Sequence, residues 1–203
     1  GLPIDQGVLS VVDEAGKIFS KLGAEVILKD PPLKGAMECF QTQRAVGLRG
    51  LGNLLEKTIP NWREFAKDTA TWNIEKGFGL TIEDMIRAEA TRTRIFEDIS
   101  EYFRDFDALL LPAAQVPPFD LSQEWISEIE GIKLDTYIDW MSVCCMITVT
   151  GLPAISVPGG FTEEGLPVGI QLVGKPNGDL ELLKIANAYE AMTKHYARTP
   201  ELF

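Results

Sequence analysis

From Trp140 to Gly174 the chain reads WMSVCCMITVTGLPAISVPGGFTEEGLPVGIQLVG, and this stretch decides the fold. No charged residue occurs between Trp140 and Thr162, which by length alone suggests a membrane helix. Its glycines and prolines would break such a helix into short pieces. Two short β-branched segments remain, Ala154–Val157 and Val168–Val173, joined by a glycine-rich turn. Because strands that are apolar on both faces lie in the middle of a covered sheet, the stretch predicts central strands of an α/β core.

The sequence outside this stretch predicts helices alternating with short strands. Asp5 precedes an apolar series at helical spacing, and Thr81 precedes a helix with acidic residues in its first turn. The glycines near Gly50 predict a break in the second helix, since each weakens a helix by roughly 1 kcal/mol relative to Ala. The predicted helices cover about 6–22, 34–57, 81–106, 134–146 and 180–195, with a short acidic one within 117–131. The further predicted strands are 24–28 and 108–111.

The composition is that of an ordinary globular protein. The chain has 203 residues, of which 45% are hydrophobic and 24% charged, enough for one core or a large part of a bigger domain. The net charge of −11 argues against binding to nucleic acid or anionic membranes, because both require clustered Lys and Arg. Three cysteines and no secretory leader in the first thirty residues predict reduced thiols, so a cytoplasmic location is expected.

One family resemblance rests on the deciding stretch and its flanks. GLPAISVPGGF, then EGLPVGIQLVG, then the helix LLKIANAYE closely resemble the C-terminal part of the amidase signature enzymes, over about 151–190. Upstream, TIEDMIRAEATRTRIFEDISEYFRDFDALLLPAAQVPP is similar to the long helix and the proline-ended strand of that family. The opening IDQGVLSVVDEAGKIFSKLGAEV is similar to the helix–strand unit that begins its second half, and the resemblance is weakest between Pro31 and Phe78.

This resemblance implies a fold and a chemistry. It implies an α/β fold with a mixed β-sheet covered by helices on both faces, and hydrolysis of a carboxamide through an acyl-enzyme on a serine. The family uses a Ser–Ser–Lys triad with a GGSSGG-like stretch, and no such stretch occurs in this sequence. Residues 1–203 are therefore expected to be the C-terminal part of a single amidase domain, with no catalytic residue of their own. Ser156, beside the glycine turn, is expected inside a buried strand, and no metal or organic cofactor is implied.

The helix before GLPA supplies the candidate site residues. By resemblance it faces the acyl part of the substrate channel, so Trp140, Cys144 and Ile147 are predicted to bind substrate. Core packing is the competing interpretation of all three residues. Cys144 and Cys145 have no histidine nearby to activate a thiol, and adjacent cysteines lack the spacing of metal ligands.

Three functions stay open at this point. The first is an amidase whose partners are a small-molecule amide, the missing N-terminal half of the same enzyme and a second copy in a homodimer. The second is the A-type component of an amidotransferase, which releases ammonia for a partner enzyme. The third is a non-catalytic structural or interaction module, which is the direct interpretation of a sequence that lacks the catalytic triad.

Overall fold

The computed structural model describes residues 1–199 and has an α/β architecture. The last four residues of the range expected for the domain lie outside the described part. The helices are α1 (Gln6–Lys21), α2 (Ala36–Thr58), α3 (Asp68–Phe78), α4 (Ile82–Tyr102), α5 (Ser142–Thr150) and α6 (Asp179–Thr193). The strands are β1 (Ala108–Pro112), β2 (Glu128–Ile129), β3 (Ile132–Lys133), β4 (Ala154–Phe161) and β5 (Pro167–Gly174).

The deciding stretch forms the β4–β5 hairpin, as the sequence predicts. The main sheet has the order β1-β5-β4, so β5 is its central strand, and β2 pairs separately with β3. All pairs within residues 1–199 are antiparallel, whereas a mixed sheet was expected. The short turn between β4 and β5 permits only antiparallel pairing, because parallel neighbours need a long crossover.

Helices cover both faces of the sheet, in agreement with the expected architecture. On one face Ile170 and Leu172 pack with Ala15 of α1 and with the buried side of α6. On the other face Leu109 and Val173 pack with α2, α4 and α5. Alternate residues of a strand point to opposite faces, so β5 contributes to both clusters.

Two helix starts have the side-chain caps that the sequence indicates. The Asp5 carboxylate accepts hydrogen bonds from the Gly7 and Val8 amides at 2.8 and 3.2 Å. Thr81 and Asp84 form a reciprocal capping box at the start of α4. Each such cap pairs backbone N–H groups that have no partner inside the helix.

The break expected near Gly50 is wrong, because α2 is a continuous helix of 23 residues. A Cβ at Gly52 would lie 2.4 Å from the Ile74 side chain, and a Cβ at Gly77 would lie 2.4 Å from the Ala45 carbonyl oxygen. The glycines therefore let α2 and α3 approach closely, and this packing outweighs their low helix propensity.

Three local expectations are also wrong. Residues 24–28 form no strand, since no described strand pairs with them. The segment 117–131 contains the start of the β2–β3 hairpin instead of a short helix. Ser156 is exposed on β4 and does not lie in a buried strand position. None of the helices in the same described part is long and apolar enough to cross a membrane.

Candidate functional site

An apolar cavity of about 290 Å³ lies where the loop after β1 meets the start of β5. Its wall consists of small aliphatic residues, two consecutive prolines and two aromatic rings. The lining residues are Ala113, Ala114, Val116, Pro117, Pro118, Phe119, Trp140, Pro167, Val168 and Gly169. None of them carries a charge, so the cavity suits an uncharged, largely apolar group.

The sheet fixes the first part of the cavity wall. The Ala113 amide donates to the Gly169 carbonyl oxygen at 2.9 Å, which extends the β1–β5 ladder by one residue into the loop. A Cβ at Gly169 would lie 3.1 Å from the Ala113 Cβ and 3.2 Å from Ser156 Oγ. Glycine therefore permits the close approach of β4, β5 and the loop at this point.

The turn before α5 places Trp140. Trp140 lies in the 3₁₀ turn Asp139–Met141, and Asp139 Oδ2 accepts from the Thr136 amide at 2.7 Å. The Trp140 ring meets the Phe119 ring edge to face, with the ring centres 5.5 Å apart. This arrangement is favourable for aromatic pairs and fixes the two rings relative to each other.

One polar atom of this wall has no partner within the protein. Trp140 Nε1 is buried and has no hydrogen-bond partner among residues 1–199. An unpaired buried donor costs about 1–3 kcal/mol. A ligand with an acceptor atom would satisfy this N–H group.

The three residues predicted to bind substrate lie in different surroundings. Trp140 lines the cavity. Cys144, one helical turn further on, is partly buried and donates its thiol hydrogen to the Met141 carbonyl oxygen at 3.1 Å. Ile147 is 3% exposed and packs in the core cluster shared with α2 and α4. Binding of substrate by these residues stays a prediction.

The two adjacent thiols differ in acidity. Interaction with the Cys145 thiol lowers the pKa of Cys144 to about 7, although burial acts in the opposite direction. The same interaction, together with burial, raises the pKa of Cys145. Burial raises the pKa of Cys39, whose Sγ donates to the Ala88 carbonyl oxygen.

The candidate catalytic and metal-binding groups of the described part of the chain include the Ser20 hydroxyl, the possible metal ligands and His195, which is the only histidine in the sequence. His195 packs against the rings of Phe161 and Tyr189, and burial lowers its pKa. Ser20 is exposed and donates to the Gly16 carbonyl oxygen within α1. No group of three or more His, Cys, Asp or Glu residues within 1–199 could hold a metal ion.

Sequence reasoning missed the proline-containing loop as a cavity wall. The available signal was the pattern PAAQVPPF, which starts at the end of β1 and cannot continue a strand because proline lacks an N–H group. Such loops at strand ends often line binding sites. No comparable sequence signal indicated that β5 contributes to the cavity wall. Pro167–Gly169 line the cavity only because of the geometry of the β4–β5 hairpin.

These features define an α/β protein in which an uncharged cavity adjoins a central β-hairpin. The sequence profile described as Amidase matches residues 3–183, and the chain belongs to this family. The resemblance to the amidase signature enzymes that the sequence shows is thereby confirmed. Among curated relatives, the A component of the glutamyl-tRNA(Gln) amidotransferase of Myxococcus xanthus is 39% identical over 117 residues, 58% of this chain and 23% of the relative. Its counterpart in Symbiobacterium thermophilum is 39% identical over 119 residues, 57% and 22% of the two chains.

Solved structures share the fold over nearly the whole chain. A bacterial aryl acylamidase of the amidase signature family superposes with a TM-score of 0.82 at 24% identity, covering 97% of this chain and 43% of that one. The 6-aminohexanoate cyclic dimer hydrolase complexed with substrate gives a TM-score of 0.80 at 19% identity, covering 98% and 44%. The chain thus spans less than half the length of these structures, and its matches span about a quarter of the curated relatives.

Proposed function

We propose that residues 1–203 are the C-terminal part of a single amidase domain. The complete enzyme hydrolyses a carboxamide to a carboxylic acid and ammonia or an amine. An acyl-enzyme forms on a serine that lies outside these residues. Family membership over residues 3–183 supports this proposal, as does the fold shared with amide-hydrolysing enzymes.

The uncharged cavity is the observation on which the choice of substrate rests. Its wall contains the Phe119–Trp140 aromatic pair and no ionisable side chain. Burying a charged group there would be unfavourable without a partner of opposite charge. We therefore propose that Trp140 contacts an aromatic or aliphatic part of the amide and that Cys144, one turn away, limits its size. Ile147, which packs with α2 and α4, is proposed as the third residue in contact with the substrate.

The proposed partners and location follow from the same assignment. The partners are the small-molecule amide, the remainder of the amidase domain and a second copy in a homodimer. A cytoplasmic location is supported by the three cysteines, which are all free thiols.

The relatives named as amidotransferase components support a second candidate function. They share 39% identity with this chain over 117 residues, more than the solved amidases do over their matched lengths. In that case the substrate is a polar amide such as glutamine, and the released ammonia passes to a partner enzyme. The uncharged cavity favours the first candidate, because an amino acid carries two charged groups.

An assay of the intact protein that contains this chain separates these functions. We expect release of aniline from acyl anilides, with little release of ammonia from L-glutamine. The Trp140→Ala variant should lower kcat/KM for the anilides about tenfold, which corresponds to about 1.4 kcal/mol. The matched control Trp62→Ala removes another buried indole, in the turn between α2 and α3, and should leave substrate preference unchanged.

Two results would decide against the first proposal. Faster turnover of glutamine than of anilides would favour the amidotransferase function. A folded intact protein that hydrolyses no amide would favour the non-catalytic module. The Cys144→Trp variant tests the role proposed for Cys144, because an unchanged ratio of rates on short and bulky amides would exclude Cys144 from the substrate pocket.

A further inference from the structure

Gln115 is a polar residue without any exposure to solvent, inside the loop that forms the cavity wall. Its relative exposure is 0%, the lowest of the buried polar residues in the described part of the chain. Its neighbours Ala114 and Val116 both line the cavity, whereas Gln115 itself does not. A buried side-chain amide is unfavourable by about 1–3 kcal/mol unless it is hydrogen-bonded.

Three hydrogen bonds connect Gln115 to two distant parts of the chain. Its side-chain Nε2 donates to the Pro3 carbonyl oxygen at 2.9 Å. Its side-chain Oε1 accepts from the Val143 amide at 3.1 Å, and its backbone oxygen accepts from the Asp5 amide at 2.9 Å. The loop after β1 is thereby joined to the segment before α1 and to the first turn of α5.

The bond to Val143 determines where α5 begins relative to the cavity. Val143 lies in the first turn of α5, where backbone N–H groups have no acceptor inside the helix. Gln115 supplies that acceptor from the loop. Trp140, which also lines the cavity, lies in the turn immediately before this helix.

We propose that Gln115 is a positioning residue that sets the distance between the cavity loop and Trp140. It acts through the backbone of Val143 on one side and through Pro3 on the other, and it does not touch the ligand. Only an amide of this length supplies both the donor and the acceptor in this arrangement. A methionine keeps the volume but makes neither bond, and an ionised glutamate can accept from Val143 but cannot donate to Pro3.

The test compares Gln115→Met and Gln115→Glu with a matched control in the intact protein. Cys39→Ala is the control, because Cys39 is 1% exposed, donates its thiol hydrogen to the Ala88 carbonyl oxygen and lies on α2, outside the cavity wall. The measurements are KM and kcat for anilide hydrolysis, with hydrogen exchange of residues 113–119 and 142–144. The kinetic part rests on the proposed amidase function.

We expect Gln115→Met to raise KM about tenfold while kcat changes less than about threefold, because a displaced wall weakens binding by about 1.4 kcal/mol. Gln115→Glu should raise KM at least as much, because it places an ionised carboxylate at a site with 0% exposure and against the Pro3 carbonyl oxygen. Both variants should increase hydrogen exchange in 113–119 and at Val143. Cys39→Ala should change neither KM nor exchange at those sites.

Equal KM values in all four proteins would overturn the proposal and leave Gln115 a merely structural residue. If these variants do not fold, Gln115→Asn, which keeps the amide but shortens the side chain by one methylene group, decides through the same two measurements. If the wild-type protein hydrolyses no amide, the proposed function fails, but hydrogen exchange still decides the positioning role. Unchanged exchange in 113–119 would then contradict that role.

Discussion

The β4–β5 hairpin and the segment 24–28 have similar sequences but different structures. ISV and VGIQLV in the hairpin and AEVIL in the segment are all rich in β-branched and aliphatic residues, and strands are predicted for both regions. In the hairpin Ile170 and Val173 are 0% exposed, whereas in the segment Ile27 is 55% and Leu28 104% exposed. An apolar β-branched pattern therefore indicates that a segment can fit into a sheet, but the pattern alone is not sufficient to form a strand.

Backbone pairing explains the difference. β5 has a hydrogen-bonded neighbour on each side, β1 and β4, and helices cover its two faces. The amides of residues 25–28 donate to no other group within residues 1–199. Two-stranded or isolated strands are marginal in water, so a segment without a neighbour remains irregular.

The largest expected effect tests the burial of the two regions. Ile170→Ala should lower the free energy of unfolding by about 2–5 kcal/mol, because it removes a fully buried side chain and leaves a cavity. Ile27→Ala, the matched change at an exposed site, should alter it by less than about 0.5 kcal/mol. Urea unfolding of both variants measures this difference.

A similar loss in both variants would contradict the comparison. It would mean that Ile27 is buried in solution, for example against a second copy of the chain. Measuring the midpoint at several protein concentrations identifies that case, since a dimer contact makes stability depend on concentration.

The second prediction concerns the close approach of the two hairpin strands. A Cβ at Gly159 would lie 2.5 Å from the Ile170 Cγ2 atom, so Gly159→Ala should destabilise the protein by about 1–3 kcal/mol. At Gly47, on α2, no atom lies within 4 Å of an added Cβ. Gly47→Ala should therefore stabilise the protein by about 0.5–1 kcal/mol. Thermal unfolding that moves in the same direction for both variants would argue against the close contact.

The third prediction compares the tyrosines that touch the two regions. Tyr189 is 0% exposed, and its hydroxyl donates to the Gly159 carbonyl oxygen at 2.8 Å. Tyr102 donates to the Lys29 carbonyl oxygen next to the segment, in an exposed position. Tyr189→Phe should cost about 1 kcal/mol, and Tyr102→Phe less than about 0.5 kcal/mol. Urea unfolding at about pH 8, where both tyrosines are neutral, checks both values.

Alkaline pH sharpens this test, because burial raises the pKa of Tyr189 to about 12. The neutral hydroxyl is thus favoured by folding, and its stabilisation is complete below about pH 10 and lost as the pH rises towards about 12. The Tyr189→Phe variant lacks this titration. The stability gap between wild type and variant should therefore narrow between about pH 10 and 12, and a constant gap would contradict the burial of the hydroxyl.

The parts of the fold that the sequence predicts are those with local signals. Asp5 and Thr81 mark the starts of α1 and α4 through short-range caps, and the glycines and prolines around the hairpin mark its ends. The continuous α2 was not predictable, because Gly52 is tolerated only through its contact with α3. Long-range packing of this kind is absent from a single sequence window.

The candidate site follows the same rule. Trp140 was proposed from the resemblance, and it lines the cavity, but its contact with substrate stays a prediction. Ile147 was proposed from the same resemblance; its side chain packs with α2 and α4, and its contact with substrate stays a prediction. Gln115 gave no sequence signal, since its role depends on bonds to Pro3 and Val143 that only the folded chain brings within reach.

The smallest expected effect on stability is also the most direct test of pairing. Hydrogen exchange should be fast at residues 25–28, whose amides have no acceptor within the described chain, and slow at Ile170 and Leu172 in the central strand. Replacing Leu28 by Ser should leave both exchange patterns unchanged. The same substitution should alter the free energy of unfolding by less than about 0.5 kcal/mol. Strong protection of residues 25–28 in the intact protein would show that the segment pairs with a strand beyond residues 1–199 or in a second copy. Protection that disappears on dilution would assign the pairing to the second copy, because only that contact depends on protein concentration.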